Sequence, residues 1–377
     1  MKKIVLHGAF DTTNFGDILL LCIYKNYIER HYPELEVYSD SVGSEAIKYS
    51  GIKKIALKQI VQNQVPVIFC GGGYLGEPSR RKLFWRVRAF IKHFLLLWSL
   101  HLNKGKYSLI GVGFGPIDNK ILRKIAVRAI NSAFTVVFRD VESKNYALLY
   151  GAKNPIKVTS DAVMALLPHE LRNFPHFFSS QLVYDSNSAT SSINKILIGI
   201  HIQMPGKPNP DFKKGLFELL KKHKMGYPTC EFVLLTDSRN KDVSQDIIRY
   251  NLQEFSFDSF QYSGPFELIQ KIHQCHLIIT TKLHVGIVAS VFNKPVISIA
   301  MHPKIKRFYN QIGRKDFCVE YNLYSIEWLD HKLNLFFQNE LGDTILPNTV
   351  NDISKNNFRE IDMFIKFSFQ GQVKKIE

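Results

Sequence analysis

The residues best suited to chemistry lie in the run from Cys275 to Lys304, where Thr280-Thr281-Lys282-Leu283-His284 joins two apolar segments. Leu277–Thr280 is short, apolar and β-branched, as a buried parallel strand requires. Thr281 can cap a following helix that opens with Lys282, Leu283 and His284 and stops at Asn293-Lys294-Pro295, before a second buried strand, Val296–Ile299. The first N–H groups of a helix have no partner within it and lie at the positive end of its dipole. With Lys282 beside them they would attract an anionic group, while the imidazole of His284 is of a type that can move a proton. The plainer alternative leaves Lys282 in solvent and packs His284 at the helix start.

Similar junctions recur upstream. Asn14-Phe15-Gly16-Asp17 follows the strand near Ile4–Leu6, and Gly71-Gly72-Gly73 follows Val67–Cys70. Arg139-Asp140 ends the run Thr135–Phe138, and Ser160-Asp161 follows Ile156–Val158. Three glycines after a buried strand let a ligand approach the backbone, or simply make a tight turn. Strand alternating with helix predicts an α/β fold with parallel sheets. Ligands of such sheets bind at the carboxyl ends of the strands, which gathers Asn14, Asp17, Gly71–Gly73, Arg139 and Asp161 onto one rim. A first Rossmann-like domain is expected over residues 1–167, a polar linker over 168–194 and a second Rossmann-like domain over 195–335. The tail, 336–377, contains a helix near Ile353–Phe369 that can fold back on the first domain.

The chain has 377 residues, with 49 Lys and Arg against 33 Asp and Glu, a formal net charge of +16. Such an excess favours an acidic partner: nucleic acid, an anionic membrane or a phosphorylated substrate. Zinc-finger spacing and aromatic RNA-binding patterns are missing, so nucleic acid is not expected. The five cysteines are scattered, which predicts neither a zinc site nor a disulfide framework and fits a reducing cytoplasm. No signal peptide is expected from the opening strand. The longest apolar run, Phe94–Leu100, is too short to span a bilayer. In Arg80–Trp98, bases interleave with Phe84, Trp85, Phe90, Phe94 and Trp98; this suits a helix lying in a membrane interface, or a domain helix with a basic outer face.

Taken in order, Asn14-Phe15-Gly16-Asp17, Gly71-Gly72-Gly73, Gly113-Phe114-Gly115, Arg139-Asp140-x-x-Ser143, Ser160-Asp161-Ala162, Lys282-Leu283-His284 and His302-Pro303-Lys304 resemble the polysaccharide pyruvyl transferase family. The resemblance runs from about residue 4 to about 315. It implies a GT-B-like fold, two Rossmann-like domains facing a central cleft, and transfer of a pyruvyl group from phosphoenolpyruvate to a sugar of a bacterial surface glycan. Arg139 then matches an arginine that contacts phosphoenolpyruvate. Lys282-Leu283-His284 matches an Arg-Leu-His donor element whose histidine is the acid. Lys282 replaces arginine's bidentate fork with a point charge, and His201 stands where a strong base is expected.

On this resemblance His284 protonates the donor methylene, and Asp17 or Asp161 accepts a proton from the sugar hydroxyl or holds the sugar. A helix N-cap (Asp17) and a turn carboxylate (Asp161) are the structural alternatives. Asn14, Gly71, Gly72, Gly73 and Lys304 complete the expected binding set, Lys304 holding phosphate or simply facing solvent. No cofactor or metal is expected; phosphoenolpyruvate is a co-substrate. The expected acceptor is a glycan or a lipid-linked oligosaccharide, reached in the cytoplasm with a possible docking of Arg80–Trp98 on the inner face of the plasma membrane. Two other functions fit the same residues: a GT-B glycosyltransferase using a nucleotide sugar, and a non-catalytic binder of acidic glycans.

Overall fold

The computed structural model of the protein describes residues 1–78, 81–174, 195–203, 210–237, 258–342 and 344–369. The chain forms two compact units, Met1–Ala165 with Thr349–Glu377, and Leu166–Asn348. Each is built on one parallel sheet whose central strands are buried and largely apolar. The helix Pro168–Asn173 therefore belongs to the second unit, and the helix Ile326–Phe337 runs across residue 335. The polar run near 185–192, Lys207 and Arg239 lie outside the described residues.

In the first unit the strands are β1 (Lys2–His7), β2 (Leu35–Ser39), β3 (Lys53–Lys54), β4 (Val67–Cys70), β5 (Tyr107–Val112), β6 (Val136–Phe138) and β7 (Ile156–Val158). Their spatial order is β3-β2-β1-β4-β5-β6-β7. β1 thus has β2 on one side and β4 on the other, pairing Val5 with Tyr38 and Leu6 with Ile68. Successive connections from β1 run to opposite sides, and this switch point is where an open α/β sheet opens a crevice at its carboxyl edge. β4 and β5 are buried along their whole lengths because helices cover both faces.

The second unit repeats the plan with β8 (Ile196–His201), β9 (Cys230–Leu235), β10 (Asp258–Phe260), β11 (Leu277–Thr280), β12 (Val296–Ala300) and β13 (Cys318–Glu320). The order β10-β9-β8-β11-β12-β13 puts its switch point between β8 and β11, where His201 is level with Thr280. Each unit has its own apolar core.

The last helix, Asn348–Phe369, packs on the first unit. Ile361, Phe364 and Ile365 are buried. Its polar residues meet backbone and side chains in and beside β6 and β7. Asn357 donates to the Ser160 carbonyl at 3.0 Å and Ser354 to the Asp161 carbonyl at 3.0 Å. Glu360 accepts from Thr135 at 2.8 Å and Lys157 at 2.6 Å. The turn that carries Asp161 is therefore fixed by a segment almost two hundred residues away in sequence.

The segment 82–102 combines features of both sequence expectations. It comprises a helix Lys82–Ala89, a π-helical turn Phe90–Phe94 and a helix Leu95–Leu102. Its bases are ion-paired: Lys82 with Asp118, Arg86 with Glu77, and Arg88 and Lys92 with Asp11. Phe94 is fully buried, and Trp85 and Trp98 pack against the core. Apolar residues face outward as well, Leu83 at 74%, Phe84 at 67%, Val87 at 57% and Ile91 at 61% exposure. Lys82, Arg88 and Lys92 stay exposed beside them, so the outer surface mixes apolar and basic side chains, the bases being held by acids from neighbouring loops.

Candidate functional site

At the carboxyl edge of the first sheet, Asn14 is the N-cap of the helix Phe15–His31. Its Oδ1 accepts from the Gly16 N–H at 2.9 Å and the Asp17 N–H at 3.3 Å. Asp17 occupies the first turn, where a carboxylate favours the helix dipole, and accepts from the Thr12 hydroxyl at 3.4 Å. The capping role considered for Asp17 therefore belongs to Asn14. Gly71 and Gly72 take left-handed backbone, at φ +57° and +71°, so this turn suits glycine.

Gly73 and Gly113 serve a different purpose. A Cβ on Gly73 would lie 3.0 Å from Nη2 of Arg139, and one on Gly113 3.0 Å from its Nε. The two glycines leave the space that the guanidinium fills. Arg139 is buried, with Nη1 3.6 Å from Asp161 Oδ2 and Nε 3.9 Å from Asp140 Oδ2. Asp140 also caps the helix Val141–Leu149, accepting from the Ser143 N–H at 2.7 Å and hydroxyl at 2.8 Å. Ser143 Oγ in turn accepts from the Phe114 N–H at 2.9 Å. The Arg-Asp-x-x-Ser motif is thus a brace that ties the Gly113-Phe114 loop to the end of β6. Two carboxylates offset one guanidinium, so an anion here meets a weaker attraction than a lone arginine would give.

Beside this brace, at the switch point, lies a chain absent from the sequence-level expectations. His7 ends β1 fully buried, and its Nδ1 is 2.8 Å from Asp40 Oδ1. Its Nε2 is 2.9 Å from Nδ1 of His93, which lies in the π-helical turn. Tyr74, following the glycines, packs against His93 with ring centroids 4.5 Å apart and donates its hydroxyl to the His7 carbonyl at 3.3 Å. Burial, reinforced by His7, Arg88 and Lys92, holds the His93 imidazole well below the usual histidine range. A histidine ending the first strand was the only sequence signal. Asp40 and His93 join it through the β1–β2 pairing and the packing of a helix.

In the second unit the N-cap is Lys282, one residue later than the sequence suggested, and Leu283 and His284 are the first two helical residues. The Thr280 hydroxyl accepts from the Lys282 N–H at 2.9 Å, whereas Thr281 exchanges hydrogen bonds with the Gln203 backbone. Lys282 is half-buried, its Nζ 3.0 Å from Asp237 Oδ2. Asp237, after β9, is only 2% exposed and also lies 3.4 Å from His201 Nε2. Burial pushes the Asp237 carboxyl up, but His201 and Lys282 outweigh it and hold it well below the usual carboxylate range. Leu283 is buried and His284 half-buried. Lys304, half-buried at the next helix start, donates its N–H to His302 Nδ1 at 3.2 Å.

The expected residues thus fall on the carboxyl edges of two sheets: Asn14, Asp17, Gly71–Gly73, Arg139 and Asp161 on the first, and Lys282, Leu283, His284 and Lys304 on the second. A family model described as polysaccharide pyruvyl transferase matches residues 14–303. No curated protein matches the sequence. Among solved structures, MnaA of S. aureus in a co-structure with UDP is similar over 100% of this chain and 99% of its own, at TM-score 0.61 and 12% identity. The UDP-GlcNAc 2-epimerase of Neisseria meningitidis bound to UDP-GlcNAc covers 97% and 99%, at TM-score 0.61 and 12% identity. HepE of Anabaena in complex with UDP and glucose covers 99% and 100%, at TM-score 0.55 and 11% identity. These likenesses give the GT-B-like fold of two parallel-sheet α/β domains.

Proposed function

The chain belongs to the polysaccharide pyruvyl transferase family, and on that premise we propose that it moves the pyruvyl group of phosphoenolpyruvate onto two hydroxyls of a sugar, closing a ketal. The acceptor is a surface glycan or its lipid-linked precursor. The observation that carries this is the family match from Asn14 to Pro303, which takes in the strand ends of both sheets.

The donor bears about three negative charges, in its carboxylate and phosphate. Lys282, the positive end of the helix Leu283–Val291 and Arg139 are the cationic and dipolar groups assigned to it. His284 is assigned the proton delivered to the methylene carbon, which makes the neighbouring carbon electrophilic. A hydroxyl adds there, phosphate departs, and a second hydroxyl closes the ring. Asp161, held by Arg139 and by the Val163 N–H, is better placed to fix Arg139 than to accept a proton.

Thermal stabilisation tests the donor. Phosphoenolpyruvate should raise the melting temperature of the parent, with a smaller rise for Arg139→Ala and Lys282→Ala. Stabilisation by a UDP- or GDP-sugar instead would make the protein a glycosyltransferase. Stabilisation by acidic glycans alone, with no phosphate release, would make it a binding protein.

The apolar face of residues 83–91 is assigned to an anionic bilayer, the surface on which a lipid-linked acceptor is presented. Residues 80–132 hold twelve Lys and Arg against one acid, Asp118, so most of the net positive charge belongs to this part of the chain. Exposed apolar side chains combined with such a charge suit an interfacial helix. Among the described residues no helix is long and apolar enough to cross a membrane.

A further inference from the structure

We infer that Asp40, His7 and His93 form a proton relay in which His93 Nε2 takes the proton of an acceptor hydroxyl at the switch point of the first sheet. The inference rests on the pyruvyl-transfer assignment for its substrate, a vicinal or 1,3-diol of a sugar, but its geometry stands independently.

The hydrogen bonds fix the tautomers. The carboxylate of Asp40 only accepts, so His7 Nδ1 carries a hydrogen, shared between Oδ1 at 2.8 Å and Oδ2 at 3.0 Å. In a neutral His7 the Nε2 must then accept, and the 2.9 Å contact makes His93 the donor through Nδ1. His93 Nε2 is left with its lone pair. That nitrogen has no hydrogen-bond partner among the described residues, although the side chain as a whole is only 8% exposed. It is also not among the polar atoms sealed from solvent.

Burial and two neighbouring cations disfavour a charged His93. Arg88 and Lys92, which share Asp11, lie on its own segment; His7 and Tyr74 face it from β1 and from the turn after β4. The relay avoids that charge. When a proton arrives at His93 Nε2, the Nδ1 proton passes to His7 Nε2, and the positive charge comes to rest on the imidazolium paired with Asp40. His93 is the catalytic base, and His7 and Asp40 are positioning residues. A π-helical turn, a geometry frequent at functional sites, presents the base.

The step balances. After the donor methylene has gained a proton, the hydroxyl O–H bond breaks, its proton goes to His93 Nε2, and the oxygen electron pair forms the new C–O bond. Phosphate leaves with the electron pair of its own C–O bond. Of the two hydroxyl hydrogens lost in closing the ketal, one is matched by the new methyl group and one leaves with phosphate.

Two measurements on the full chain decide the matter. Imidazole nitrogen NMR, with His93 assigned through His93→Gln, should show Nδ1–H and a bare Nε2 at neutral pH. In phosphoenolpyruvate-dependent turnover, His93→Gln should lower kcat by about 10²–10⁴-fold. Asp40→Asn, which removes the charge opposite the imidazolium, should move the acid limb of the kcat profile to lower pH. A structural role for Asp40 would reduce the rate without moving that limb. Full turnover in His93→Gln, an unmoved limb in Asp40→Asn, or an Nε2–H tautomer of His93 would overturn the relay. A parent with no phosphoenolpyruvate-dependent turnover would sink the pyruvyl-transfer assignment instead, and the tautomer alone would then judge the relay.

Discussion

Lys282 is bound to Asp237 before any substrate arrives. A carboxylate this deeply buried needs its cations, and removing one leaves part of its desolvation uncompensated, about 1–3 kcal/mol. Lys282→Ala is therefore expected to destabilise the second unit by that amount in urea denaturation. The pH dependence follows in sign. The folded carboxyl of Asp237 titrates below its unfolded value, so its stabilisation is present above about pH 4 and lost as pH falls through the folded value. Lys282→Ala brings the folded value nearer the unfolded one, and acid unfolding followed by circular dichroism should begin at higher pH. An unmoved acid midpoint would mean that His201 alone holds the charge. On the activity side, His284→Gln should cost about 10²–10⁴-fold in kcat if it is the acid, and almost nothing if it is only a packed helix-start residue.

Among elements, the segment 82–102 shows how one helix can serve two surfaces. Its inner side carries Phe94, Trp85 and His93 into the core and the relay, while Leu83, Phe84, Val87 and Ile91 face outward. Exposed substitutions away from packed features usually change stability by less than about 0.5 kcal/mol. The triple change Phe84→Ser, Val87→Ser, Ile91→Ser should accordingly leave the melting temperature nearly unchanged and abolish sedimentation with phosphatidylglycerol-containing vesicles. The parent's binding should weaken with salt, since the electrostatic part is screened within about 10 Å at 0.1 M. Equal binding by parent and triple variant, or a parent that ignores these vesicles, would remove the membrane from the account.

For the molecule as a whole, the decisive contact is the return of the chain's end to its beginning. Gly111, at φ +70° in β5, faces both the Tyr24 hydroxyl and Asn357; a Cβ there would lie 2.4 Å from one and 2.8 Å from Asn357 Oδ1. Left-handed strain and overpacking together put the cost of Gly111→Ala at about 2–5 kcal/mol. Because each unit has its own core, the loss should be confined to the first unit's denaturation transition. A single transition shifted as one would show instead that the two units unfold together.

The periods of apolar residues in the sequence already determine the parallel strands, the α/β class and the strand-end positions of Asn14, Arg139, Asp161 and Lys282, because a strand buried on both faces must be apolar and its polar successor must lie at the sheet edge. Where a polar side chain finds its partner is not local. Asp237 reaches Lys282 across β8, Asp40 reaches His7 through strand pairing, and the bases of 82–92 are drawn to Asp11, Glu77 and Asp118. Charge on a sequence does not say which face of a helix it will occupy, since neighbouring acids decide that. So Lys282, a free cation in isolation, became the half-buried partner of a buried carboxylate, and His7, in sequence only a histidine ending a strand, became the centre of a relay when the sheet order placed Asp40 and His93 on either side of it.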